Sequence, residues 1–202
     1  MTYIPHTDFR TDFYAIAHWI RSGARVLDLG CGEGLLLSYL SETRNIVGYG
    51  VDIDDANILA CLNNKINVIQ GDLEFGLSIF ESKSFDYVIL SQTLQAMRNT
   101  NGIIKEMMRV GKEGIITFPN FGHWRNRLQI ACGRMPVSKT LPYQWFDTPN
   151  VHLCTLVDFE NFCGQHNVRI LERRIMNRDH QIIFAPNLFG ALAFYRLEQQ
   201  EG

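Results

Sequence analysis

The sequence predicts an α/β domain with a mostly parallel sheet and helices on both faces. Three observations carry that expectation. Short apolar runs alternate with helical stretches along the chain, which is the pattern of successive β-α-β units. A glycine-rich loop, Asp28-Leu29-Gly30-Cys31-Gly32-Glu33-Gly34, lies between the first apolar run and the first helical stretch. Two more aspartates, Asp52 and Asp72, stand at the ends of the next two runs.

Seven runs read as strands: 25–29, 45–52, 66–70, 85–90, 113–118, 168–172 and 181–185. Between them, residues 34–43 place Leu35, Leu36, Tyr39 and Leu40 on one helical face. Residues 101–109 do the same with Ile103, Ile104, Met107 and Met108. Thr155-x-x-Asp158 resembles a capping box ahead of Phe159 and Phe162. The run at 181–185 follows its predecessor too closely for a crossover helix, so this last strand is expected to be antiparallel. Residues 187–198 place Leu188, Leu192 and Tyr195 near helical spacing, with Phe189 beside them. That stretch either packs on its own sheet or presents a partner surface.

Composition sets the bounds. A chain of 202 residues with 46% hydrophobic and 20% charged residues fits one globular domain spanning 1–202. The net charge of −2 offers no general field for nucleic acid. No apolar run approaches the roughly 18 residues that a membrane span needs. Met1–His6 lacks the pattern of a secretion signal. The five cysteines are odd in number and form no C-x-x-C pair, which argues against a disulfide framework and against a zinc site. They read as reduced thiols of a cytoplasmic protein.

Residues 121–150 break the alternation. Gly122, Trp124, Pro136, Pro142, Tyr143, Trp145, Phe146 and Pro149 make this stretch too aromatic for a simple solvent loop. Arg125, Arg127, Arg134 and Lys139 stand there against Asp147. The stretch is either an inserted cover over the ligand end of the sheet or structural padding whose aromatics only pack.

The loop and the aspartates define a candidate site. Gly30 allows a tight turn, Gly32 lets a ligand approach the backbone, and Gly34 lets the helix pack close. The small side chain of Cys31 fits such a loop. The spacing is G-x-G-x-G, not the G-x-G-x-x-G of dinucleotide-binding proteins. Asp28 and Glu33 would repel a pyrophosphate and attract a sulfonium or an ammonium group. Asp52 is placed to accept from ribose hydroxyls, and Asp72 from an adenine amino group. The neighbouring Ile53 and Leu73, and Ser91 after the fourth strand, complete the expected binding set. The ligand these features describe is S-adenosylmethionine or its product S-adenosylhomocysteine.

The layout resembles the Rossmann-like class I methyltransferases along nearly the whole chain. Within them, Arg25–Gly34, Phe85–Ala96, Phe118–Arg127, Leu141–Asn150 and His152–Thr155 look like the methionine-biosynthesis protein family MetW. Arg10-Thr-Asp-Phe13 and Trp19-Ile20 look like that family's opening helix. The resemblance implies a methyltransferase fold, a place in methionine biosynthesis and a homoserine O-acyltransferase subunit as partner in making acyl-homoserine. It implies a pathway more firmly than a reaction.

The residues leave catalysis open. Many related enzymes carry Ser-Glu-x-Leu-Glu-His after the fourth strand, where this chain has Ser91-Gln92-Thr93-Leu94-Gln95-Ala96. Neither Gln nor Ala takes a proton at neutral pH. His123, His152 and Tyr143 are the remaining candidates for a base or a hydrogen-bonding group, and each also has a purely structural reading. The Asn-Pro-Pro-Tyr motif of amide methylation is missing, as is the Gly-x-Ser-x-Gly elbow of an α/β-hydrolase acyltransferase. Two functions remain in competition: a pathway subunit that binds S-adenosylmethionine, and a small-molecule methyltransferase.

Overall fold

The computed structural model describes residues 11–200. Met1–His6 and Arg10 of the opening-helix resemblance lie outside them. In chain order the elements are α1 (Thr11–Ala17), β1 (Arg25–Leu29), α2 (Leu35–Arg44), β2 (Val47–Asp52), α3 (Asp55–Asn63), β3 (Asn67–Gln70), β4 (Phe85–Ser91), α4 (Thr100–Val110), β5 (Gly111–Pro119), α5 (Trp124–Ala131), α6 (Leu156–Gln165), β6 (Val168–Asn177), β7 (His180–Gln181), α7 (Pro186–Phe189) and β8 (Leu192–Gln199). Two short 3₁₀ turns follow β3 (Leu73–Phe75) and β4 (Leu94–Ala96).

All the strands join one sheet in the order β3-β2-β1-β4-β5-β8-β6-β7. The first five are mutually parallel. β8 runs antiparallel between β5 and β6. Two apolar layers sandwich the sheet. α1 and α2 supply Phe13, Ile16, Leu37 and Leu40 on one face, against Val26, Ile89 and Ile115. α4 and α6 supply Ile104, Met107 and Phe159 on the other, against Leu27, Leu90 and Phe118. The central parallel strands β1, β4 and β5 are largely buried on both faces, so their sequences are nearly continuous apolar runs.

Two expectations at the C-terminal end need correction. Among the described residues there are eight strands rather than seven, and the segment 181–185 is not the closing antiparallel strand. His180–Gln181 pair with β6 as a short hairpin, and the Ile182 N–H donates to the Ile175 carbonyl at 2.7 Å before the run leaves the sheet. Ile183 and Phe184 are 86% and 81% exposed. Ala185 takes a left-handed φ of 42°, which breaks the extended run. The closing strand is β8, inside the stretch whose spacing looked helical. Ala193, Phe194 and Tyr195 are consecutive and fully buried. A strand covered on both faces shows no period of two, so its spacing is uninformative. Of the two readings for 187–198, packing on its own sheet holds.

Candidate functional site

The chain reverses its direction of sheet-building between β1 and β4: it adds β2 and β3 on one side, then crosses back. Open α/β sheets bind ligands at such a switch point, outside the carboxyl ends of the strands. The registers Leu29↔Val51, Asp52↔Gln70 and Asp28↔Ile89 bring those ends to one level. There Asp28, Gly30, Cys31, Gly32 and Ser91 line one cavity of about 280 Å³. Phe13 of α1, Leu35 and Leu36 of α2, Glu33 and Asn57 complete its wall.

The glycine loop has backbone geometry that side chains resist. Gly30, Gly32 and Gly34 have φ of 71°, 55° and 76°, the left-handed region where a Cβ is costly. A Cβ on Gly30 would sit 2.8 Å from the Thr93 side chain, so β4's exit packs directly on the turn. A Cβ on Gly34 would meet Cys61 Sγ at 3.0 Å and Ile66 Cγ1 at 3.1 Å. The close approach at Gly34 is therefore to Cys61 of α3 and to Ile66, just ahead of β3. A Cβ on Gly32 would meet nothing within 4 Å. Space is kept open at that one backbone position, beside the cavity.

Asp52 holds the loop. Its carboxylate is 7% exposed. Oδ2 accepts from the Gly32 N–H at 2.8 Å; Oδ1 accepts from the Asp54 N–H and from Asn57 Nδ2, each at 3.0 Å. A carboxylate has about four acceptor positions, so roughly one stays available. Ile53, next in the chain, is 62% exposed at the same rim. Asp72 caps the 3₁₀ turn through Oδ1, which accepts from the Glu74 N–H at 2.9 Å. Leu73 turns its side chain into the core, 9% exposed, so only its backbone is placed to reach a ligand. Ser91 Oγ lies 3.1 Å from Thr117 Oγ1, across the β4–β5 pair.

Cys31 and Cys61 lie beneath the loop with their sulfurs 3.9 Å apart. Burial, with Asp28 adding, pushes the Cys31 thiol far up. Burial also raises Cys61, whose thiol donates to the Gly32 carbonyl at 3.1 Å. Both are neutral packing groups. Among the described residues no cluster of three or more His, Cys, Asp or Glu is arranged to hold a metal ion. No helix among them is long and apolar enough to cross a membrane.

The three candidate bases do not converge on this cavity. His123 is 8% exposed and caps α5, its Nδ1 accepting from the Arg125 N–H at 3.3 Å. Burial, with the nearby Arg125 charge, holds it below the usual histidine range. Tyr143 is 48% exposed in the 121–150 segment. His152 is exposed; its Nε2 lies 3.2 Å from the Arg98 carbonyl, and its N–H donates to the Gln95 carbonyl at 3.0 Å. It borders a second, mostly apolar cavity of about 460 Å³, lined by Leu94, Phe118, Leu153, Phe159 and Phe162 among others.

Sequence reasoning missed Asn57, Phe13 and the Gln92 contact. Gln92 donates from Nε2 to Asp12 Oδ2 at 2.9 Å, tying α1 to the exit of β4. Asn57 was legible in principle, because Asp54-x-x-Asn57 is the start of a capped helix beside Asp52. The Asp12–Gln92 pair spans 80 residues and had no sequence signal.

A switch-point cavity, a glycine loop with acidic flanks and this strand order define the class I S-adenosylmethionine-dependent methyltransferase fold. An S-adenosylmethionine-dependent methyltransferase from Mesorhizobium loti superposes with a TM-score of 0.70 at 17% identity, over 95% of this chain and 99% of that one. One from Thermotoga maritima gives 0.67 at 14% identity, over 94% and 88%. The family model described as methionine biosynthesis protein MetW matches residues 10–197. The chain belongs to the MetW family. A bifunctional methionine biosynthesis protein MetXA/MetW from Rhodopirellula baltica is 39% identical over 171 residues, 80% of this chain. The match spans only 27% of that relative's length.

Proposed function

We propose that the chain binds S-adenosylmethionine at the switch-point cavity and acts in methionine biosynthesis beside a homoserine O-acyltransferase. The observation that carries the binding reading is the convergence of Asp28, Gly30, Cys31, Gly32 and Ser91 on one cavity, with Asp52 bonded to Gly32. The residues present fit that ligand. The open position at Gly32 admits close approach to the backbone. Asp28 and Glu33 favour a cationic group, and the first amides of α2 favour its carboxylate. The remaining acceptor capacity of Asp52 suits a ribose hydroxyl, and Asp72 Oδ2 suits an adenine amino group. The chemistry such a ligand supplies is an electrophilic methyl group on sulfur.

The partner reading rests on the Rhodopirellula relative, whose name joins MetXA and MetW in one chain. It also rests on the exit of β4, where Gln92 and Gln95 are committed to hydrogen bonds with Asp12 and the Gln92 carbonyl. Neither glutamine side chain takes a proton at neutral pH. A second reading, a small-molecule methyltransferase, is favoured by one observation: the 460 Å³ cavity at the ends of β4 and β5, with His152 on its rim.

Calorimetry with S-adenosylmethionine and S-adenosylhomocysteine, on the native chain and on Asp52→Ala, tests the binding reading. Expected is a Kd of about micromolar order for the native chain, weakened at least about ten-fold in Asp52→Ala, because the variant loses a ligand acceptor and frees the Gly32 amide. No heat with either ligand would sink it. Markedly tighter binding of S-adenosylhomocysteine would favour the enzyme reading.

A further inference from the structure

The helix α5 is inside out. Its buried side chain is Asn126, 2% exposed, while Trp124, Leu128 and Ile130 are 40%, 55% and 49% exposed. Trp124 and Leu128 are four residues apart and share one face. A helix on a core normally turns its apolar face inward, so this arrangement needs a cause.

Polar bonds hold α5 in this orientation. Asn126 Nδ2 donates to the carbonyls of Asn120 and Phe121, at 3.3 and 3.2 Å. Arg127 Nε donates to the Gly122 carbonyl at 2.6 Å. His123 caps the first turn. At the other end Gln129 exchanges bonds with Val137, accepting at 3.1 Å and donating at 3.3 Å. That pair fastens the following loop to the helix, with Met135 54% exposed. Eight residues are too few for a stable isolated helix. Here a set of directional bonds fixes it and presents its apolar side to solvent. Exposed, rigid aromatic and aliphatic groups of this kind mark an interaction surface.

The rim is basic. The Arg125 guanidinium lies 5.3 Å from the Trp124 ring centroid. Over 121–150, four basic side chains stand against the single Asp147, in a chain of net charge −2. The same segment carries Trp145 and Phe146, 71% and 70% exposed and stacked edge to face at 5.7 Å. The complement is a protein face with an apolar centre and an acidic rim.

We infer that the outward face of α5, centred on Trp124 and Leu128 and rimmed by Arg125, is the docking surface for the acyltransferase chain. This rests on the partner reading above. The Rhodopirellula relative carries both names in one chain, which keeps its two parts at high local concentration, and the apolar centre and basic rim of α5 are a face suited to meeting such a partner.

The test titrates the organism's homoserine O-acyltransferase into the full chain and into Trp124→Asp, Leu128→Asp and Leu128→Ser. Light scattering and thermal melting of each variant, with its S-adenosylmethionine affinity, establish that it is folded. The hydrogen bonds that hold α5 come from His123, Asn126, Arg127 and Gln129 and not from Trp124 or Leu128; Trp124 adds a ring contact with His123, so the two Leu128 variants are the ones expected to fold as the parent does. Expected is a rise in Kd of at least about ten-fold for the Asp variants, a smaller rise for Leu128→Ser, and unchanged S-adenosylmethionine affinity. Raised salt should weaken the parent complex, and Arg125→Glu should slow association. Parent binding with unchanged Kd in all three variants overturns the inference and leaves the partner reading standing. Absence of parent binding overturns both. A parent that dimerises through this face, with the Asp variants monomeric and still bound by the acyltransferase, overturns it and assigns the surface to a second copy.

Discussion

Single residues divide here into those that shape the candidate cavity and those that only brace it. Asp52 braces the cavity's Gly32 and Asn57 wall through its bonds to Gly32, Asp54 and Asn57, so its removal should lower stability as well as binding. His123 braces. Its folded-state pKa is depressed, first by burial and then by Arg125. The unfolded chain therefore binds this proton more readily than the native one. The contribution is fully present above the ordinary histidine pKa of about 6.5 and is lost as pH falls through the lower folded value. The expected result is a melting temperature that drops as pH falls below about 6.5. His123→Asn keeps a capping side chain and should flatten that drop. Carboxylates such as Asp158 and Glu106, whose folded pKa values are lowered by hydrogen bonds, act only at more acid pH. An unchanged slope in the variant would show that His123 is not the titrating group.

At the scale of elements, capping explains how the second cavity keeps its wall. Thr155 and Asp158 form a complete capping box at the start of α6. That box positions Phe159, whose ring lies 4.8 Å from both Phe118 and Tyr195. Thr155→Ala should cost about 1 kcal/mol in chemical denaturation, with the denaturant slope unchanged. The motif was legible because capping is a local bargain between a side chain and backbone three residues away. The inverted α5 was not. Trp124 and Leu128 read locally as any apolar helix face, and only the bonds made by Asn126 reveal which side is turned inward. The apolar side chains of 121–150 likewise divide unevenly. Trp145 and Phe146 are 71% and 70% exposed and Trp124 and Tyr143 are 40% and 48% exposed, while the aliphatic Leu141 is the side chain turned inward at 4%.

For the whole molecule, the closing strand decides stability. β8 bonds to β5 on one side and β6 on the other, and it buries Phe194, Tyr195 and Leu197 almost completely. Each such side chain contributes about 1.5–3 kcal/mol, so the three together rival the typical net stability of about 5–15 kcal/mol. A chain ending at Gly190 should lack a cooperative thermal transition and bind a hydrophobic dye. A sharp transition in that truncation would mean that β6 can close on β5 unaided.

The parallel half of the sheet, the glycine loop, the capping box and the family likeness were determined by sequence. Each depends on neighbours close along the chain: apolar runs set by two-sided burial, glycines required by positive φ, and a hydroxyl three residues from its carboxylate. Tertiary structure decided what depends on distant segments. It placed β8 between β5 and β6, joined Asp12 to Gln92 across the ligand end, committed most of the acceptor capacity of Asp52 to Gly32, Asp54 and Asn57, and turned Trp124 and Leu128 of α5 outward. The physical reason is the same in each case: a strand's edge, a carboxylate's lone pairs and a helix's buried face are allotted by whichever partner the fold brings near, and local spacing carries no record of that partner.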